Sequence, residues 1–358
     1  MGASVGFDDL LSLTDVDHLI ASTALRLPSF RLVKEGKTLP SSSYTKTART
    51  GSQSVAGMAD PGRIFAEFER GATIVLQGMH RYWLPLARFC RDLELQLGHP
   101  TQVNAYITPP GSRGLAVHRD GHDVFVLQMF GTKRWQVYAR SPDLPPSDDP
   151  ILETELRPGG SLYIPRDFPH AASTQETASA HLTVGILSPT WISAVREAVR
   201  LAEDEPELAE PLPLGFALDP TAFRDAVEDR LRAFQRWLEK VDPGEVAEGL
   251  ARGFLRSRQP LLGGQLSQLL SLPALSDRSR VRRRPGSICV ILPAGDEISV
   301  LLGDRELRMP AWVEPTVRSL ATGTDVAVGD LEPDLGDAGS RLVLVRRLVR
   351  EGLLEVID

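Results

Sequence analysis

Only two cysteines, Cys90 and Cys289, occur in 358 residues, and they lie far apart along the chain. They can form neither a disulfide framework nor a CxxC zinc knuckle, and a reducing cytoplasm is the compartment that fits this usage. No run of about 18 apolar residues is present, so no membrane-spanning helix is expected. The opening MGASVGFDDLLSLTDVDHLI has no basic region followed by an apolar core, which leaves no export signal. MGASVG alone is too weak a match to an N-myristoylation signal to carry weight. Basic residues are not in excess: 40 Lys and Arg stand against 47 Asp and Glu, for a net charge of -7. That balance argues against nonspecific nucleic-acid binding. A fixed-period internal repeat is absent too.

What remains is the composition of an ordinary globular protein, 42 % hydrophobic and 24 % charged, in a chain longer than one domain of about 100–200 residues. Residues 8–22 read as a helix, followed by the extended segment LRLPSFRLVKEG and a Ser/Thr/Gly-rich surface excursion from Ser41 to Gly57. A helix from Pro61 and a strand ATIVLQGM come next, then a helix WLPLARFCRDLELQLG stopped by Gly98. Between 101 and 190 the pattern changes to short strands with Gly/Pro turns, VNAYIT, HDVFVLQMF, RWQVYA, SLYIP and HLTVGIL, which predicts a β-sandwich or barrel. After Trp191 helical periodicity returns. In FRDAVEDRLRAFQRWLEKV the residues Phe223, Val227, Leu231, Phe234, Trp237 and Leu238 form one apolar stripe, expected to pack mainly within the chain. From about 287 onward, strands SICVILP and ISVLLG, a helix around VEPTVRSLATG and a last helix ending at Gly352 before a short strand predict a winged-helix-like unit. The expected domains are 1–190, 191–285 and 286–358.

The densest chemistry lies in GLAVHRDGHDVFVLQ, residues 114–128. His118 and Asp120 are two apart, so on a strand both would share one face and converge on one ion. An imidazole with a carboxylate suits two corners of a 2-His-1-carboxylate triad for Fe(II), which leaves three positions open. Asp120 with His122 is the competing register; His122 and Asp123 abut the apolar run and read better as strand-entry or supporting groups. The third ligand is expected at His170, in GGSLYIPRDFPHAAST, with His181 in HLTVGIL as runner-up on one face with Thr183 and Gly185. Lys133, after the tight Gly131-Thr132 turn, is expected to begin the neighbouring antiparallel strand and point into the barrel, where an ammonium can hold a carboxylate. Asn104 and Tyr106 offer an amide and a phenol to the same interior. Trp135 reads as core.

These motifs, VNAYITPPGSRGLAVHRDGHDVFVLQMFGTKRWQVY with GGSLYIPRDFPHAAS and HLTVGI, resemble the JmjC/cupin-type ribosomal oxygenases, Fe(II)- and 2-oxoglutarate-dependent protein hydroxylases. The resemblance implies an α+β fold: a double-stranded β-helix (jelly-roll, cupin JmjC) core with N-terminal helices, a helical dimerisation region and a C-terminal winged-helix-like domain. It implies His118, Asp120 and His170 as iron ligands, Lys133 as partner of the 2-oxoglutarate C5 carboxylate, and Asn104 and Tyr106 as pocket lining. Several family members have a serine where this chain has Gly185, so Lys133, Tyr106 or water is expected to replace that hydroxyl at the carboxylate. Fe(II), 2-oxoglutarate and O2 are the implied cofactors, a ribosomal protein the implied substrate and a homodimer the implied assembly.

Two readings compete. One is the same chemistry on a biosynthetic peptide or small molecule, with the acidic loop 142–150 and the stretch 41–57 as candidates to border the mouth. The other is a non-catalytic cupin-like scaffold or DNA-binding regulator. It would use the winged-helix-like end; against it, the one basic cluster, RSRVRRRPG at residues 278–286, sits before that unit's strands and not on its last helix, and reads otherwise as a solvated connection between domains.

Overall fold

The computed structural model describes residues 6–112, 114–146, 148–174, 176–331 and 335–357. The opening MGASV, Arg113 of the PPGSRG turn and Ser147 of the acidic loop lie outside the described residues. Two units are distinguished, Met1–Ser188 and Pro189–Asp358.

Among the described residues the first unit holds twelve strands: β1 (Phe30–Lys34), β2 (Lys37–Thr38), β3 (Thr45–Thr50), β4 (Gln53–Ala59), β5 (Thr73–Leu76), β6 (Thr101–Thr108), β7 (Asp123–Phe130), β8 (Lys133–Val137), β9 (Leu152–Leu156), β10 (Ser161–Ile164), β11 (His170–Thr174) and β12 (Ser179–Ile186). Seven form one antiparallel sheet in the order β10-β7-β12-β6-β5-β1-β2, and three form a second, β11-β8-β9. This is the expected jelly roll, and side-chain alternation explains how it packs. Val103, Ala105 and Ile107 of β6 and Leu182 and Val184 of β12 join Leu19, Ile20, Ile64, Leu86 and Cys90 in the core under the helices Leu13–Ser22, Pro61–Glu69 and Leu84–Leu97. The opposite face meets the small sheet through a separate core of Val124, Val126, Trp135, Val137, Leu156 and Ile164. With both faces covered, β5 (TIVL) reads as a nearly continuous apolar run, whereas the central β6 and β12 alternate apolar residues with the polar side chains Gln102, Asn104, Tyr106, His181 and Thr183.

Local chemistry sets the element ends. The first helix begins at Leu13, later than the periodicity suggests, because Ser12 caps it: its hydroxyl accepts from the Asp15 N–H, and the Asp15 carboxylate accepts from the Ser12 N–H. The third helix ends where Gly98 turns left-handed, at φ 66°. The Ser/Thr-rich excursion is ordered rather than loose, as the hairpin of β3 and β4. One expectation fails instructively: β8 does not pair with β7 across the Gly131 turn but lies in the other sheet, between β11 and β9. Gly131, at φ 61°, carries the chain across, and a Cβ there would collide with the carbonyl oxygen of Ala178. The Gln128 amide pins this turn, donating to the carbonyls of Phe130 (2.8 Å) and Gly131 (3.1 Å) and to the Ser179 hydroxyl (3.0 Å).

In the second unit Asp219 and Asp242 cap the helices Pro220–Leu238 and Pro243–Arg256. The helix Pro220–Leu238 buries only Ala233, and its apolar stripe is largely open: Val227, Leu231 and Leu238 are 38 %, 63 % and 42 % exposed. The stripe is therefore not an intramolecular core. A distinct core gathers Val281, Ile298, Val300, Val317, Val345 and Leu348. The last helix, Ala338–Arg350, passes through Gly352 (φ 81°) into the strand Leu354–Val356. That strand pairs with Arg280–Arg283, so the basic cluster is the middle strand of a sheet and not a solvated connection. Its arginines are engaged locally: Arg282 with Glu355, Arg283 with the Ala321 and Ser287 carbonyls, Arg284 with Gly263 and Gln265. Among the described residues no helix is long and apolar enough to cross a membrane.

Candidate metal centre

His170 opens β11 after the turn PRDFP, where Asp167 is held left-handed at φ 67°. His118 does not lie on a strand with Asp120, as the spacing suggested. It makes a single bridge to His170, each backbone N–H donating to the other's carbonyl (3.1 and 2.8 Å). The flanking residues explain this, since Gly114, Gly121 and the charged Arg119 and Asp120 give no apolar alternation to anchor a strand. A doubly bonded antiparallel pair puts its two side chains on one face, and the rings stand 4.4 Å apart, centre to centre. Asp120 joins them because its carbonyl accepts from the Asp167 N–H at 2.8 Å.

The ligand-capable atoms of His118, Asp120 and His170 all lie within 4.8 Å of one another, and Nε2 of His170 is 3.6 Å from Oδ2 of Asp120. Each imidazole is oriented through its other nitrogen: Nδ1 of His118 is 2.9 Å from the Ala116 carbonyl, and Nδ1 of His170 is 3.0 Å from that of Phe168. A proton on each Nδ1 leaves both Nε2 lone pairs facing the cluster, the tautomer a metal requires. Burial first, and the neighbouring His118 second, hold the His170 pKa below its ordinary value and keep it neutral. The chemistry of this donor set fits a divalent iron-type ion with open positions. His181, the runner-up, stands outside the cluster: its ring stacks on Tyr106 at 5.0 Å and meets Trp135 edge-on at 5.3 Å.

A cavity of about 210 Å³ adjoins these groups, lined on the β6 and β12 side by Gln102, Asn104, Tyr106, His181 and Thr183, which face it by alternation. Lys133 is 3 % exposed at one end. Its Nζ donates to the Thr108 hydroxyl at 3.1 Å and lies 3.4 Å from Nδ1 of His181, and no carboxylate pairs with it among the described residues. Burial pushes its pKa down to about 7 and, with the Lys133 charge, keeps His181 neutral. A buried cation without a counter-ion suits an acid ligand. Trp135 is core, as expected, yet also lines the cavity with a buried indole N–H that lacks a partner among the described residues. Asn104 accepts from the Gly78 N–H at 2.9 Å, so one end of its amide is committed to the scaffold.

Several groups in or behind the cavity wall went unremarked in the sequence. Thr108 continues the Asn104, Tyr106 alternation by one more step and accepts from both Lys133 and Thr73 (3.1 Å each). Arg31 arrives by a non-local route, since it pairs with Val75 and Val75 with Tyr106. Its charge partly offsets the burial that raises the Tyr106 pKa, and its Nε is buried without a partner among the described residues. Gly185 also needs correcting. It lies four residues from His181, roughly 13 Å along the strand at about 3.3 Å per residue. A hydroxyl there would be too far to share a carboxylate with Lys133; Thr108 is the hydroxyl in place.

Residues 79–193 match the JmjC domain family. Over 192 residues the chain is 30 % identical to the bifunctional lysine-specific demethylase and histidyl-hydroxylase NO66 of Drosophila persimilis, covering 51 % of this chain and 27 % of that protein. It is 27 % identical over 305 residues to human ribosomal oxygenase 1, covering 76 % of this chain and 44 % of that one. The chain thus spans less than half the length of either relative. The structure of YcfD, a ribosomal oxygenase from Escherichia coli in complex with cobalt and 2-oxoglutarate, superposes with a TM-score of 0.54 at 18 % identity, over 98 % of this chain and 91 % of that one. Residues 79–193 thus carry a JmjC domain, and the chain is similar in sequence to part of the ribosomal oxygenases and in fold to one of them.

Proposed function

We propose that the chain is an Fe(II)- and 2-oxoglutarate-dependent oxygenase that hydroxylates a side-chain carbon in a ribosomal protein. The observation that carries this reading is the juxtaposition of the His118, Asp120, His170 cluster with a buried, unpaired Lys133 on one cavity. His118, Asp120 and His170 would hold the metal, and Lys133 the C5 carboxylate of 2-oxoglutarate. When bound, the metal with its cosubstrate and O2 supplies the oxidising power for C–H hydroxylation.

The chain's own residues do the positioning. Lys133 and Thr108 present N–H and O–H donors to the carboxylate, and neutral His181 holds the ammonium on its other side. Tyr106 and Asn104 line the space beside it. Trp135, Val124, Ala172 and Leu115 wall the cavity with carbon, which keeps water from the reacting centre. A protein substrate is favoured over a small molecule by the ribosomal oxygenase relatives. The open apolar stripe of the helix Pro220–Leu238 supports a homodimer, and two free cysteines suit a cytoplasmic setting. The basic cluster lends the DNA-binding reading no support, because the arginines of 280–284 are engaged within their own unit. Incubating the full chain with Fe(II), 2-oxoglutarate and the source cell's ribosomal proteins, then reading succinate and substrate mass, tests the proposal. Succinate without any protein gaining oxygen would point to a small-molecule substrate.

A further inference from the structure

Away from Lys133, the cavity wall contains an imidazole that the metal and cosubstrate assignments leave unused. His122 lines the cavity, and neither of its ring nitrogens has a hydrogen-bond partner among the described residues. Its ring lies against Gly185: a Cβ there would sit 2.5 Å from both Cδ2 and Nε2 of His122, and 3.3 Å from Cγ of Gln102. Gly185 is the next-to-last residue of β12, paired with Gln102 and Val124, and its φ is not positive. Backbone conformation therefore does not require glycine at this position. Space does, and the space is filled by the imidazole.

The next residue fixes where His122 stands. Asp123 Oδ1 accepts from the Tyr163 hydroxyl at 2.8 Å and from the Arg166 N–H at 3.1 Å, anchoring the start of β7. Around the ring are neutral hydrogen-bonding groups. Gln102 makes no side-chain hydrogen bond among the described residues, Asn104 keeps its amide N–H groups, and Thr183 brings a hydroxyl. Among the described residues the only carboxylate lining the cavity is Asp120, in the metal cluster, whereas the cations lining it are Lys133 and Arg31. A cationic side chain would find no free counter-ion here, and an anionic one would be drawn toward Lys133.

We infer that His122, seated by Gly185, determines specificity by hydrogen-bonding an uncharged polar side chain of the target residue, one that can both donate and accept. The inference rests on the peptide-hydroxylase reading above. With one face on glycine and its nitrogens free, the ring can meet the target in the tautomer that complements it. Gln102 and Asn104 complete the polar wall, so a target lacking hydrogen-bonding groups would leave several buried polar groups unsatisfied.

The full-length chain serves for two measurements. In thermal unfolding, Gly185→Ala should lower the Tm of the parent but have no effect in a His122→Ala background; equal shifts in both backgrounds would overturn the seating. With Fe(II), 2-oxoglutarate and total ribosomal protein from the source cell, His122→Ala should raise the KM for the hydroxylated protein about tenfold. The KM for 2-oxoglutarate should move less than about twofold, and His122→Asn should recover part of the loss. An unchanged protein KM, or a hydroxylated Lys, Arg, Asp or Glu, would overturn the inference. No oxygen gain on any ribosomal protein with the parent chain would instead overturn the peptide-hydroxylase reading on which it rests.

Discussion

At one end of the cavity a buried ammonium, Lys133, sits among hydroxyls and a neutral imidazole with no carboxylate to balance it; at the other, His122 rests on a glycine beside two amides. The first end is costly without a ligand, because a desolvated charge is held ready for an anion. The second is built of an imidazole and amides, and its donors and acceptors select by hydrogen bonding. A fixed cosubstrate can be met by charge, whereas a particular side chain in a protein is told from its neighbours by pairing of polar groups. The metal cluster lies between the two ends and ought to be indifferent to both.

Breaking that middle should have the largest effect. Asp120→Ala is expected to abolish stoichiometric Mn(II) binding by calorimetry and to cut turnover by more than the roughly 10–100-fold that loss of an outer-shell partner costs. Retained binding would remove the carboxylate from the triad. Lys133→Met separates the ends: the KM for 2-oxoglutarate should rise on the order of 10–100-fold, the worth of a hydrogen bond to a charged group. The ligand-free protein should meanwhile melt higher, because an uncompensated buried charge is gone. A lower melting point would mean that Lys133 has a counter-ion in the free protein.

The pH dependence of cosubstrate affinity follows from the same lysine. Burial sets its pKa near about 7 without ligand, and a bound carboxylate raises it, so binding takes up a proton above that pH. Affinity for 2-oxoglutarate should be flat below pH 7 and weaken by up to about tenfold per unit above it, a dependence that Lys133→Met removes. The smallest change is expected from Thr108→Val, which deletes one donor to the carboxylate and should weaken cosubstrate binding by roughly fivefold. Lys133→Met and Thr108→Val should both leave the choice of target residue untouched.

Much of this was legible because strand alternation is a local signal. Asn104 and Tyr106 face the cavity, as their spacing said, and His181 and Thr183 do so for the same reason. Thr108 was one step further along that register and could have been found there. His118 and Asp120 do reach one place, though by a different route: a single bridge to His170 and one backbone hydrogen bond from Asp167, neither of which spacing encodes. Lys133 points inward from the opposite sheet, because Gly131 has no Cβ to strike Ala178. A hairpin and a crossing look alike in a sequence when both begin with a glycine turn. Arg31 and the contact of His122 with Gly185 depend on which strands become neighbours, so they were visible only once β1, β5, β6, β7 and β12 were in order. The helix Pro220–Leu238 illustrates the converse: a clear apolar stripe states what wants burying but not what covers it.

The central claim is that the three-residue cluster and Lys133 together make an oxygenase acting on protein. Anaerobic reconstitution of the full chain with Fe(II) and 2-oxoglutarate, followed by admission of air in the presence of the source cell's ribosomal proteins, tests it most directly. The account predicts succinate in step with a mass gain of one oxygen atom on one ribosomal protein, and neither product from Asp120→Ala. Equal succinate from parent and variant, with no oxidised protein, would contradict it.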